Sequence, residues 1–425
     1  LCLRCHNENP PNNFQDALGN FDTPHHHMHP VTPIECVDCH MPKRTYMQID
    51  DRHDHSLRVP RPDLSIKYGT PNACSNCHDE GDEWAMQQII QYHGSRRRSH
   101  FSETLLSGSR QHLDAERDLA ELANDPGQPP MARANALLLL GGYELGYSAE
   151  AVTNSLKDPQ PLVRLHALRS VDRVDQNKRH GALKRLLEDP IKAIRTDAAR
   201  IAVEHLSDFT EPSERALLLS VLEEYKAIQT QQSDLPEAHT NLAAISIALG
   251  QFDTAEKQLR NALAIEPEWI PGLVNLADLY RRVGRDSEAG DILEKAIAIK
   301  PPIVEAQIAY GMWLIRSGRP GDALNQFQRG YELEPDGLRN SYLYALALNA
   351  NDRREQAIGV AELAVDRFGD HRILLELLAT MYRDAESFDE ALRYATRLEE
   401  RFGGEVYRTL RAQMLLAVRK RDGPS

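Results

Sequence analysis

Five alanines, Ala255, Ala289, Ala323, Ala357 and Ala391, recur at intervals of 34 residues. Gly250, Gly284 and Gly318 keep the same interval, as do Pro267, Pro301 and Pro335, and Asn241-Leu242-Ala243 returns as Asn275-Leu276-Ala277. A unit this short cannot bury its apolar face alone and must stack on its neighbours. The glycine is expected to end the loop between paired helices, the alanine to sit where they cross closely, and the proline to close the unit. Five such units are expected between about 236 and 403, with a degenerate helix pair before them.

A second interval precedes this one. Arg133, Arg164 and Arg195 are 31 residues apart, as are Ala136, Ala167 and Ala198, and the pairs Asp158-Pro159 and Asp189-Pro190. Asp-Pro is expected to start a helix after a turn, because proline is tolerated in the first helical turn. Val163, Leu165, Leu168 and Val171 supply an apolar face. The 34-residue interval is that of tetratricopeptide (TPR) repeats, and residues 108–208 resemble short HEAT-like repeats. Trp269 and Trp313 are expected to pack in the core or groove. A stack of this kind has a concave face, which is expected to dock a redox partner protein or another cytochrome, with homo- or hetero-oligomers open; a rigid spacer is the plainer alternative.

The front of the chain obeys different rules. All six cysteines lie in three copies of one pattern: Cys2-Leu-Arg-Cys5-His6, Cys36-Val-Asp-Cys39-His40 and Cys74-Ser-Asn-Cys77-His78. Eleven of the 17 histidines fall within the first 100 residues. C-x-x-C-H is the attachment signature of c-type haem: two thiols form thioethers and the adjacent histidine ligates the iron. Thioredoxin-like redox pairs would need a βαβ pattern, which is absent, and zinc would not require a histidine after each second cysteine. Residues 1–80 are poor in Leu, Ile and Val, so bound haem would supply the missing apolar bulk. Three haems are expected, with His6, His40 and His78 as proximal ligands.

A second ligand on each iron decides its chemistry. His25, His26, His27 and His29 form one group and His53 and His55 another, six candidates for three irons. Met28, Met41 and Met47 sit among closer histidines. The acids Asp50, Asp51 and Asp54 stand ready either to pair with His53 and His55 or to orient them. Arg52, Arg58 and Arg61 are candidate partners of haem propionates, and the prolines of the Arg58-Val-Pro60-Arg61-Pro62 run are expected to hold it extended. His93, His100 and His112 carry no expectation of a role.

Several of these runs resemble a known family. They are Phe21-Asp-Thr-Pro-His-His-His-Met-His29, Cys36-Val-Asp-Cys-His-Met-Pro42, Tyr46-Met47, Asp54-His-Ser-Leu-Arg-Val-Pro-Arg-Pro-Asp63 and Thr70-Pro-Asn-Ala-Cys-Ser-Asn-Cys-His78. Together they resemble the end of the multihaem module of bacterial TPR-bearing cytochromes related to the cytochrome c-554 group. The resemblance implies electron transfer, with His26, His29 and His55 in the distal positions and His25, His27 and His53 as alternatives. It also implies further C-x-x-C-H motifs upstream. A chain that opens at Leu1 without a signal peptide is accordingly expected to be a processed or truncated piece.

The fold expected is mainly α: a loop-rich cytochrome head over 1–95, HEAT-like helices over 96–210 and a TPR superhelix over 211–425. A net charge of −13 argues against nucleic-acid binding, and no apolar run is long enough to span a bilayer. Haem attachment occurs outside the cytoplasm, so the periplasm or cell exterior is expected. Two other functions compete with an electron carrier. One is a reductase of small nitrogen or sulfur oxyanions, which needs an open iron and a nearby group such as Lys43, Tyr46 or Lys67. The other is a scaffold in which the haems are incidental.

Overall fold

The computed structural model describes residues 29, 35–54, 58–95, 100–110, 114–143 and 146–423. Cys2, Cys5, His6, His25, His26, His27 and His55 lie outside the described residues. The fold is mainly α, with one two-stranded hairpin among the described residues. The chain divides into two compact units, Leu1–Ser99 and His100–Ser425.

The first unit holds short elements: α1 (Cys36–His40), β1 (Lys43–Tyr46), β2 (Asp50–His53), α2 (Pro62–Tyr68), a 3-10 turn (Ala73–Asn76) and α3 (Gly81–His93). The strands run antiparallel, with Lys43 opposite His53 and Tyr46 opposite Asp50. Met47 and Gln48 at the tip have φ of 50° and 61°, the two left-handed residues that a tight hairpin turn requires. The proline run is not extended throughout. Pro62 opens α2, where its missing N–H is one the helix could not have used.

The second unit opens with α4 (Phe101–Ser109), α5 (Ala115–Asn124), α6 (Pro130–Leu140), α7 (Tyr147–Ser155), α8 (Pro161–Arg169), α9 (Gln176–Leu186) and α10 (Lys192–Ala202). The 31-residue interval has a physical cause. Arg133 donates to Asp158, Arg164 to Asp189 at 2.9 Å and Arg195 to Glu224 at 2.8 Å. Each arginine thus reaches one repeat onward. Arg164 also donates to the carbonyls of Asp158 and Pro159, and Arg195 to those of Asp189 and Pro190. Asp158 and Asp189 do not begin helices. They hold the turn before one, each accepting from the backbone N–H two residues on, at 2.8 and 2.9 Å.

One twenty-residue helix, α11 (Pro212–Gln231), stands where the degenerate pair was expected. Five helix pairs follow: α12 (Pro236–Ala248) with α13 (Phe252–Ile265), α14 (Ile270–Arg282) with α15 (Asp286–Ala298), α16 (Val304–Arg316) with α17 (Pro320–Leu333), α18 (Leu338–Ala350) with α19 (Arg354–Phe368), and α20 (Arg372–Asp384) with α21 (Phe388–Phe402). The helix α22 (Glu405–Asp422) packs on α21. All five recurring alanines are fully buried. Gly250, Gly284 and Gly318 have φ of 71°, 79° and 72°. The same register continues as Asp352 and Glu386, at φ of 59° and 56°. At every one of these five turns the next N–H bonds back to a carbonyl five residues earlier: Gln251 to Ser246, Arg285 to Tyr280, Arg319 to Leu314, Arg353 to Leu348 and Ser387 to Tyr382. This is the left-handed cap that ends a helix and aims the chain into its partner.

Trp269 and Trp313 are packing residues. Trp269 donates to Thr240 Oγ1 at 3.0 Å, and Trp313 to the Asp286 carbonyl at 2.8 Å while stacking on Tyr310. Gly290 leaves room for the Trp313 indole, since a Cβ there would lie 2.2 Å from the ring. Within this unit the end of the stack returns to its start. Arg401 pairs with Asp114, and Phe402 packs against the core of α5 to α11 as well as that of the TPR pairs. A cavity of about 950 Å³ opens on α14, α16 and α18 and is walled by the end of α4.

Candidate haem-binding site

Each described motif is a single tight turn. In α1, Glu35 and Asp38 cap each other's backbone: Asp38 Oδ2 accepts from the Glu35 N–H at 2.8 Å. In the third motif Asn72 Oδ1 accepts from the Cys74 N–H at 3.1 Å, and the N–H groups of Cys77 and His78 donate back to the Cys74 carbonyl at 3.2 and 3.0 Å. The Asn72 amide in turn donates to Asp82 at 2.9 Å, tying the turn to the start of α3. A one-turn geometry brings cysteines three apart in sequence onto one side, which is what two thioether bonds to one porphyrin demand.

The two turns pack against each other. Cys36, Cys39, Cys74 and Cys77 are free of disulfides. Burial pushes the Cys39 thiol up, and Cys74 and Asp38 push it the same way; burial also raises Cys74. Among the described residues no three His, Cys, Asp or Glu side chains converge as a metal cage.

Two of the histidines are held through Nδ1. His40 Nδ1 lies 2.6 Å from the Arg58 carbonyl, and His53 Nδ1 lies 2.7 Å from that of Met41. A backbone carbonyl at Nδ1 fixes the tautomer that leaves Nε2 to a metal. His53 is therefore not turned to the neighbouring acids. His78 Nδ1 instead faces the Glu80 carboxylate at 3.8 Å.

Cys39, Cys74, Cys77, His78, His29 and His53 line one cavity of about 480 Å³. The centroids of the His29 and His78 rings are 5.9 Å apart. Two imidazoles gripping one metal from opposite sides, at roughly 2 Å each, place their centroids about 6 Å apart. Helix α3 closes the cavity with Trp84, Gln88 and Tyr92 on one face, and Trp84 lies 4.5 Å from the His78 ring. His93 lines it too. The spacing of Trp84, Gln88 and Tyr92 by four, directly after the third motif, is the signal that marks this helix as a cofactor wall.

The arginines expected at propionates are engaged by carboxylates of this chain. Arg61 holds Asp63 through two bonds of 2.8 and 2.7 Å, Arg58 holds Asp54 at 2.8 Å and Arg52 holds Asp50 at 3.1 Å. The apolar content fits a missing hydrophobic group. Leu64, Ala85 and Met86 are the buried hydrophobic residues among those described in this unit, while Tyr46, Ile49, Val59, Ile66 and Tyr92 stand exposed. Haem fits the residues present: paired thiols on single turns, oriented imidazoles and a largely apolar cavity wall.

Residues 19–176 match the cytochrome c552 family. The chain thus carries a cytochrome c552 domain, and residues 236–268 and 273–304 match TPR models. The sequence motifs had pointed to the c-554 group; both names denote c-type cytochromes. The cytochrome match runs beyond the first unit through α4 to α8, into the segment read as HEAT-like. No curated relative matches the chain. Among solved structures, a MamA protein is 19% identical, with a TM-score of 0.35, covering 39% of this chain and 90% of its own. PilF of Pseudomonas aeruginosa is 20% identical, with a TM-score of 0.37, covering 51% and 99%. YrrB, a TPR protein with an unusual peptide-binding site, is 17% identical, with a TM-score of 0.35, covering 47% and 97%. Among the described residues no helix is long and apolar enough to cross a membrane.

Proposed function

We propose that this chain is a periplasmic or extracellular multihaem cytochrome that transfers electrons through three bis-histidine haems and docks a redox partner through its repeats. The observation that carries the reading is the placement of His29 opposite His78 beside the Cys74–Cys77 turn. It supports His29 as the distal ligand of the third site. His40 is the proximal ligand of the second site, and His53, with Nε2 free, is a distal ligand. Cys2, Cys5 and His6 would serve the first site in the same way. The bound haems supply one-electron exchange. The protein's part is to hold both axial positions with oriented imidazoles, leaving no iron position open to a substrate, and to cover the third site with Trp84.

The TPR stack supports docking. Its cavity is lined by the apolar Val274, Ile308 and Leu338 together with Arg110, Arg339, Glu305 and Glu334. Intact mass and reduced-minus-oxidised spectra of the matured protein test the reading. The expected result is three covalent haems, all low-spin and unmoved by carbon monoxide or nitrite. A high-spin signal that either probe perturbs would transfer the case to a reductase, and a colourless protein would end it.

A further inference from the structure

The two described attachment sites differ in what backs the proximal histidine. His40 Nδ1 meets a neutral acceptor, the Arg58 carbonyl, at 2.6 Å. His78 Nδ1 has no backbone acceptor among the described residues and faces the Glu80 carboxylate at 3.8 Å, which is ion-pair rather than hydrogen-bond distance. Glu80 is more than half exposed. Trp84 covers the His78 ring on another side, at 4.5 Å between centroids.

The surrounding charge differs in the same sense. Asp79, Glu80, Asp82 and Glu83 follow the third motif directly, and no Lys or Arg among the described residues forms an ion pair with any of them. Near the second motif Asp54 and Asp63 are neutralised by Arg58 and Arg61. Glu35, Asp38 and Asp51 remain near the second motif, and Asp38 and Lys43 line the cavity that also holds His78. A carboxylate at Nδ1 makes an imidazole more basic, and nearby negative charge favours the more positive, oxidised iron.

We infer that Glu80 is a positioning residue that, together with the acidic start of α3, sets the iron site at His78 to a lower potential than the one at His40. This rests on the haem reading above. It gives the pair of sites an order, with the third site the stronger reductant.

The test uses the full, haem-loaded chain. Haem content and low-spin spectra are recorded first, then a spectroelectrochemical titration of the parent, Glu80→Gln and Glu80→Asp. Glu80→Gln is expected to raise a component that lies below another by about tenfold in the oxidised-to-reduced ratio, 59 mV for one electron, and to leave the other components in place. Glu80→Asp, keeping the charge, should restore most of the loss. If Glu80→Gln keeps its haems and spin state but moves no component, or moves the highest one, the inference is overturned. Absence of covalent haem in the parent would instead overturn the underlying reading before any potential is measured.

Discussion

The repeat unit and the cytochrome unit solve the same problem with different materials. From α5 to α21 the repeats bury alanines, leucines and valines in continuous cores that run from one helix pair into the next. Among its described residues the cytochrome unit buries Leu64, Ala85 and Met86, and leaves Ile49, Val59 and Tyr92 in water. One unit is a protein core in the ordinary sense, stable through apolar area removed from water. The other is a set of capped turns arranged around a space. The comparison teaches that the same chain can specify structure through its own side chains in one place and, on the function proposed, through covalent anchors for a foreign apolar group in another.

The largest expected effect breaks the cytochrome side of this comparison. Replacing Cys74 and Cys77 with serine should remove the third haem and leave its cavity unfilled. Limited proteolysis would then cut within the first 99 residues, while the helical melting transition of residues 100–425 stays in place. A protease-resistant, haem-free front would show that the comparison is wrong. On the repeat side, Arg133→Ala strips the partner from Asp158, a pair with both side chains under 10% exposed. A loss of about 3–5 kcal/mol is expected in denaturant unfolding, against about 0–1 kcal/mol for Arg52→Ala at the exposed Asp50 pair.

Gly290→Ala sharpens the view that the TPR cores are close-packed. Its Cβ meets the Trp313 ring, which is anchored through Asp286, so a loss of about 1–3 kcal/mol is expected. Glu386→Gly goes the other way. It relieves a left-handed non-glycine residue costing about 1–2 kcal/mol and incurs about 0.5–1 kcal/mol of glycine entropy, for a net gain of up to about 1.5 kcal/mol in melting experiments. The smallest effect concerns acid. The Lys184 ammonium, then His180, hold Glu214 below the usual carboxylate range. Its contribution is present above the unfolded carboxylate value of about 4.3 and is lost as pH falls through the lower folded value. Lys184→Met should therefore flatten the fall in stability of the repeat unit below about pH 4; an unchanged acid profile would remove Glu214 from that account.

The repeat unit was legible because its intervals are enforced by contacts. The 34-residue alanines are crossing points, and the glycines are helix caps whose conformation other residues reach at a cost. The register was nevertheless read three glycines long, because Asp352 and Glu386 occupy the last two caps without looking like glycine. The 31-residue arginines were visible as a period, but their partners were not: the carboxylates lie 25 and 29 residues onward, and the third is Glu224 rather than an aspartate. In the cytochrome unit the three C-x-x-C-H motifs were legible as a pattern, and the two described ones fold as single turns. The wall formed by α3 was passed over, because Trp84, Gln88 and Tyr92 look like an ordinary helix face until the cavity they share with the third motif is seen.

The amino-acid order alone determined the stacked helix pairs, the attachment turns and the supply of histidines, because each rests on local spacing that backbone geometry reads directly. Only the tertiary structure decided which histidine faces which, that His40 and His53 lean on carbonyls while His78 looks to a carboxylate, and that the repeats close back on their own beginning through Arg401 and Phe402. Those relations join residues far apart in the chain. They depend on where packing brings separate segments together, which no local interval records.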